Sequence, residues 1–342
     1  MSERRSELPV RVGIVGGGRW AAMHRAALEN VGAPLAAVLV RTSDSARRLQ
    51  DAWRVPADTE LERFLAHEME AVVVASPNHL HAEHAVAALE AGKHVLVEKP
   101  MAITVEDCDR ILGAARASER VLAVGHEMRV FRLFEALREE AGGLGAPQHL
   151  DLRLFRRPYR SGASGWKQDP AKLGSSILEE PIHYLDLARW YLGEVAEVQA
   201  WAVSRPGRES LHENLDVRLT FRNGAQALVT RTIAGFEHHV RCDLNAEQGA
   251  IRARWDGRQD TDEDPSVALW VQDGDGIRSV PLPHRTGHAF DLPRQTAAFL
   301  RAISEGTPVP ASGEDGRTAV ALCLAVERSL REGSQPIAFV ER

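Results

Sequence analysis

Cysteine is scarce in this chain. Cys108, Cys242 and Cys323 are the only three in 342 residues, and no two stand close together. That spacing gives neither a metal-binding pattern nor a disulfide framework, and it fits a reducing compartment. Positive charge is not in excess either: the formal net charge is -6, so the electrostatic footprint of a nucleic-acid binder is missing. No apolar run approaches the roughly 20 residues needed to span a bilayer. Arg4-Arg5 resembles the start of a twin-arginine signal, but no apolar segment of the required length follows, because Val10–Val15 runs directly into glycines. The expectation is a cytoplasmic protein without a membrane partner. Internal repeats and low-complexity segments are absent too.

What is present is ordinary for a globular protein. Hydrophobic residues make up 44% and charged residues 26%, enough to bury a core. The length predicts two domains. In the first third, short apolar runs alternate with helical stretches. Val10–Val15, Leu35–Val40, Ala71–Ala75, Val95–Val97 and Val121–Val124 read as strands. Arg19–Asn30, Ser45–Trp53, His81–Ala91 (closed by Gly92) and the stretch from Thr104 to Ala117 read as helices. Such alternation predicts βαβ units and a parallel sheet covered on both faces. After Met128 the pattern changes. Phe131–Ala141 and Pro181–Leu192 read as helices. His149–Phe155, Val198–Val203, Leu215–Phe221, Ala225–Ile233, His238–Asn245, Ala250–Trp255 and Val267–Gln272 read as strands, with Asn223-Gly224 as a hairpin turn. The predicted fold is α/β: an N-terminal doubly wound parallel-sheet (Rossmann) domain over 8–128, then an α/β domain over 129–342 with a large, mostly antiparallel open sheet. The closing helices within 291–331 are candidates to pack back on the first domain.

Gly16-x-Gly18-x-x-Ala21 follows the first strand and opens the first helix. The first glycine permits a tight turn, the second lets the backbone approach a pyrophosphate, and a small third residue lets helix and strand pack closely. Amides at the helix N-terminus, at Arg19 and Trp20, then face the phosphates. The strand–turn–helix setting is what gives the motif weight. The end of the second strand carries Arg41-Thr42-Ser43 and no immediate acid. A guanidinium and hydroxyls suit a 2′-phosphate, which favours NADP over NAD, although Asp44 lies within reach of a ribose. Glu98-Lys99-Pro100 places a lysine just past another strand end, on the edge where open α/β sheets bind ligands.

These residues carry a resemblance. Val12–Gly18 with His24, Ser76-Pro77-Asn78 with His81, Ala91–Pro100, and Leu173–Asp186 are similar to the motifs of the glucose–fructose oxidoreductase / inositol dehydrogenase / MocA (Gfo/Idh/MocA) family, and the resemblance spans nearly the whole chain. It implies NAD(P)-dependent oxidation or reduction of sugars, inositols and related polyols, with assembly into a homodimer or homotetramer through the open sheet. It implies Lys99 and His183 as the catalytic pair and Ser76–Asn78 as a loop along the dinucleotide. The family usually has an aspartate four residues before the histidine and a glycine two before it. This chain has Glu179 and Pro181 there.

The chemistry those residue types offer is alcohol oxidation. Histidine titrates near working pH and suits a general base at His183, and a lysine at 99 stabilises a developing alkoxide. Glu179 is the expected orienter of His183, with Glu180 competing for that role. The expected cofactor contacts are Gly16, Gly18, Arg19, Trp20, Ala21, Arg41, Thr42, Ser76, Pro77, Asn78, His81, Glu98 and Lys99. The expected substrate contacts are Lys99, Arg129, Trp166, His183 and Asp186, where Asp186 is equally a structural partner and Trp166 equally a core anchor. Arg156 and Arg157 either reach an acidic substrate group or pair with local acids. His79, His81 and His84 do not match a zinc signature, so no metal is expected. Two alternatives stay open: redox-neutral chemistry with a retained cofactor (elimination, hydrolysis or epimerisation, with Glu179 or Glu180 as second base), and a non-catalytic NADP-binding sensor.

Overall fold

The computed structural model describes residues 10–156, 166–167, 169–235, 237–258, 262–274, 276–282 and 285–340. Arg157 lies outside them. Among the described residues the strands form two sheets.

The first sheet contains β1 (Val12–Val15), β2 (Leu35–Leu39), β3 (Ala57–Asp58), β4 (Ala71–Val74), β5 (His94–Glu98) and β6 (Leu122–Gly125). Their order is β3-β2-β1-β4-β5-β6, and all pairs are parallel. Chain order reverses between β1 and β4, the switch point at which such sheets leave a crevice beyond the strand ends. The strands β1 and β4 are buried at every position, as expected where helices cover both faces. The connecting helices are α1 (Arg19–Val31), α2 (Ser43–Trp53), α3 (Leu61–Leu65), α4 (His81–Glu90) and α5 (Val105–Ser118). Thr42 caps α2 and Thr104 caps α5 through their side chains, each accepting a hydrogen bond from the amide three residues on.

The second sheet runs β14-β13-β12-β11-β7-β10-β9-β8-β15. Its strands are β7 (Pro147–Phe155), β8 (Val195–Val203), β9 (Asn214–Phe221), β10 (Gln226–Thr232), β11 (His238–Ala246), β12 (Gly249–Gly257), β13 (Ser266–Asp273), β14 (Gly276–Ser279) and β15 (Ile337–Ala338). All neighbours are antiparallel except β7 and β10. Alternation is clear on β9: Leu215, Val217, Leu219 and Phe221 are buried, while Asp216 and Arg218 face outward. Each such buried side chain contributes at most about 1.5–3 kcal/mol. The hairpin from β9 to β10 turns at Asn223-Gly224, where Gly224 takes φ +89°.

The helices of the second half are α6 (Arg132–Ala141), α7 (Pro170–Leu173), α8 (Ser176–Glu179), α9 (Pro181–Leu192), α10 (His288–Glu305) and α11 (Gly313–Arg331). Pro181 is the first residue of α9, where a missing amide leaves no bond unmade. Both closing helices return to the first sheet's layer. Phe299 of α10 joins the core formed by Val12, Ile14, Leu28 and Val38. The start of α11 is tied to β6 by a hydrogen bond from the Val124 amide to the Ala311 carbonyl at 3.0 Å. This return brings His288 and Asp315 beside residues from both halves of the chain.

Candidate active site

The glycine turn has the form the sequence predicts. Gly16 takes φ +129°, and a Cβ there would lie 2.5 Å from the Ala75 carbonyl oxygen. A Cβ on Gly17 would lie 2.7 Å from Val40. At Gly18 a Cβ would meet nothing within 4 Å, so the space above it is open. Gly18 precedes α1, and no side chain caps that helix. Ala21 is fully buried against the sheet. An open approach, uncapped amides and a small packing residue are what a dinucleotide pyrophosphate needs, so the residues present fit such a cofactor. Gly16, Gly18, Arg19, Trp20 and Ala21 therefore lie on one turn at the switch point.

Arg41 and Thr42 stand exposed after β2. The Thr42 hydroxyl also caps α2, and Asp44 pairs with Arg47 along that helix. Ser76, Pro77 and Asn78 follow β4. The Ser76 hydroxyl lies 2.9 Å from His84 Nδ1, and the Asn78 amide donates to the Leu173 carbonyl at 3.1 Å. His81 links two loops: its Nδ1 lies 2.7 Å from the Pro100 carbonyl and its Nε2 2.8 Å from the Ser76 carbonyl. A carbonyl only accepts, so a neutral ring donates to one of the two and only a charged ring would satisfy both. Burial lowers its pKa, and the two carbonyls and Glu98 work against that. Glu98 is buried and lies 2.7 Å from His24 Nε2, which ties the end of β5 to α1.

Lys99 leaves β5 and donates from Nζ to the main-chain carbonyl of Glu179. That contact brings the lysine to the break between α8 and α9, four residues before His183. His183 is buried, and burial holds its pKa well below the ordinary histidine value. Glu127 opposes that shift, while Lys99, His126 and His288 reinforce it. The net direction favours the uncharged ring.

Three expectations are corrected here. Glu179 does not orient His183: its carboxylate pairs with Lys167, whose ammonium also lies 5.5 Å over the Trp166 ring. The carboxylate that faces His183 is Glu127, with Oε1 3.5 Å from Nε2. Glu180 does not substitute for Glu179, because it pairs with Arg156. Arg129 and Asp186 are not open to substrate. They hold each other in a bidentate pair, and both are buried. The reason is electrostatic: a guanidinium inside the fold requires carboxylates, and Arg129 takes Asp315 as well at 3.0 Å.

Two site residues had no signal in the sequence. Glu127 lies in the short turn Glu127–Val130, and His288 opens α10. The His288 Nδ1 lies 3.1 Å from Glu127 Oε1, and its ring meets Trp20 edge-on with centroids 5.4 Å apart. Neither residue belongs to a motif with a fixed spacing. Only the return of α10 to the first domain brings them together.

Comparison with known proteins agrees with this architecture. Residues 10–126 match the model of the oxidoreductase family with an NAD-binding Rossmann fold, and residues 136–252 match the GFO/IDH/MocA C-terminal domain. The chain is 30% identical to 1,5-anhydro-D-fructose reductase of Ensifer adhaerens, over 78% of this chain and 79% of that one. It is 29% identical to inositol 2-dehydrogenase 3 of Saccharopolyspora erythraea, over 98% and 97%. The solved structure of UDP-N-acetylglucosamine 3-dehydrogenase from Acidithiobacillus ferrooxidans superposes with a TM-score of 0.81 at 25% identity, covering 96% of this chain and 100% of that one.

Proposed function

Because the chain belongs to the GFO/IDH/MocA oxidoreductase family, we propose that it transfers a hydride between NADP, or NAD, and a secondary alcohol or ketone of a sugar, inositol or related polyol. The observation that carries this reading is the hydrogen bond from the Lys99 ammonium, just past the end of β5, to the Glu179 carbonyl, four residues before His183. The relatives named above are a sugar reductase and an inositol dehydrogenase, which supports a polyhydroxylated substrate.

The bound nicotinamide supplies the hydride acceptor or donor. The protein's part is to position and to move a proton. In the oxidative direction the substrate hydroxyl lies between Lys99 and His183. His183, neutral through burial, takes the hydroxyl proton. Lys99 places a positive charge beside the oxygen as it becomes an alkoxide, and the Glu179 carbonyl holds that ammonium in place. Glycines 16 and 18 with the first turn of α1 would hold the pyrophosphate.

Preference for NADP is supported by exposed Arg41 and by the engagement of Asp44 with Arg47. Assembly into a dimer or tetramer through the outer face of the second sheet is supported by large apolar side chains left exposed there, Trp201 and Val203 on β8 and Ile277 on β14. The redox-neutral alternative would use Glu179 or Glu180 as a second base, and ion pairs engage both. The experiment is a screen of sugars, inositols and their ketones with NAD and NADP in parallel. Net dinucleotide reduction supports the proposal. Product formation without net reduction would favour the redox-neutral alternative, and tight dinucleotide binding without turnover the sensor.

A further inference from the structure

Glu127 is fully buried, yet neither carboxylate oxygen has a well-aligned hydrogen-bond donor among the described residues. Burying a carboxylate in this way is costly. Groups kept under such cost concentrate at functional sites. The groups that face it are His183 of α9 at 3.5 Å, His288 of α10 at 3.1 Å, and Lys99 beyond β5. His126 precedes it in the chain, its ring perpendicular to that of His183 with centroids 6.0 Å apart; its own Nδ1 lies 3.7 Å from Asp186.

We propose that Glu127 is the positioning residue for His183: its carboxylate, set between His183 and His288, stabilises the imidazolium formed when His183 takes the substrate proton. The inference rests on the hydride-transfer reading above. The substrate O–H gives its proton to His183, its C–H gives a hydride to the nicotinamide, and the C=O bond forms. Glu127 gains no proton. Its contact with His183 is long while the ring is neutral. It becomes a cation–anion hydrogen bond once the ring is charged, so the interaction strengthens as the reaction proceeds. His288 steadies the carboxylate from the other side, and the rings of Trp20 and Phe131 pack edge-on against His288.

The test compares wild type, Glu127→Gln, Glu127→Asp and His288→Gln as full-length proteins, with a polyol and dinucleotide that wild type turns over. In Glu127→Gln, kcat falls about tenfold or more while KM and the dinucleotide Kd stay within about threefold, the signature of an interaction made in the transition state. Removing the negative charge makes His183 harder to protonate, so the acidic limb of kcat/KM for oxidation moves to lower pH. Removing the ring that disfavours charge on His183, in His288→Gln, moves that limb the other way. Glu127→Asp recovers part of kcat. A merely structural Glu127 would change the melting temperature and leave both limbs where they were. If Glu127→Gln does not fold, the limb shift in His288→Gln decides. Wild-type turnover with unmoved limbs overturns this inference alone; no wild-type turnover across the panel overturns the reading and the inference together.

Discussion

Arg129 grips Asp186 through two hydrogen bonds of 2.8 and 2.7 Å, and the same guanidinium reaches Asp315 at the start of α11. Asp315 in turn accepts from Arg189 of α9 at 2.7 Å. One buried network therefore fastens the turn carrying Glu127, the helix carrying His183 and the closing helix. Burial lowers the pKa of Arg129, but Asp186 and Asp315 outweigh it and push the value up.

Asp186→Asn removes one partner and leaves a buried cation under-compensated. Breaking such pairs costs about 3–5 kcal/mol, and the remaining Asp315 contact places this case toward the lower end. Urea denaturation should show a lower midpoint with an unchanged slope. A loss of polyol affinity without a loss of stability would restore Asp186 as a substrate contact.

The glycine turn separates folding from cofactor binding. A Cβ at Gly16 meets the Ala75 main chain at a φ that L side chains rarely adopt, so Gly16→Ala should destabilise the fold itself. A side chain at Gly18 meets no protein atom within 4 Å. Gly18→Val should therefore keep the melting temperature and weaken dinucleotide binding by about tenfold or more, because it fills the pyrophosphate approach. Thermal melts and dinucleotide titration of the two variants check the contrast.

Arg41→Ala should raise KM for NADP by about tenfold or more and leave KM for NAD within about twofold, since one charge-assisted contact to a phosphate is lost only for the phosphorylated cofactor. Equal effects on both cofactors would remove the basis for an NADP preference.

Stability should fall with acid in two stages. His183, His126 and His81 all have folded pKa values lowered, chiefly by burial. A lowered folded value means that the unfolded chain binds the proton first. Their contribution is present above the ordinary value of about 6.5 and is lost as pH falls below it. For Asp315, burial raises the pKa, but Arg129 outweighs it and leaves the value depressed, so its contribution is lost at still lower pH. The melting temperature should decline from about pH 6.5 downward. A melting temperature unchanged between neutral and mildly acidic pH would show that these histidines protonate without penalty in the fold.

Much of this was legible in the residues. Continuous apolar runs such as Ala71–Val74 and alternating ones such as Leu215–Phe221 mark strands because burial on two faces or one face leaves a local period. Pro181–Leu192 was legible to the residue, since a proline opens it and a glycine follows it. The two-residue strands β3 and β15 are too short to carry any period. Helix α10 begins at His288, ahead of the 291–331 span in which the closing helices are expected, so no helical pattern marks His288 in the sequence. In the candidate site, the conformation of the glycine turn and the place of Lys99 at the end of β5 were legible because their motifs are contiguous. The choice between Glu179 and Glu127 as partner of His183 was not, because side-chain direction is set by the α8–α9 break. Glu127 and His288 meet only through the return of the closing helices.

The central claim is that Lys99 and His183 perform the proton and charge work of hydride transfer. It is tested most directly by following nicotinamide reduction in wild type, Lys99→Met and His183→Ala, with dinucleotide Kd and melting temperature measured alongside. Turnover should fall by about 10²–10⁴-fold for His183→Ala, in line with loss of a positioned general base. It should fall by about 10²-fold or more for Lys99→Met, in line with loss of an oxyanion stabiliser, with fold and dinucleotide binding preserved in both. Near-normal turnover in folded, dinucleotide-binding forms of both variants would contradict it.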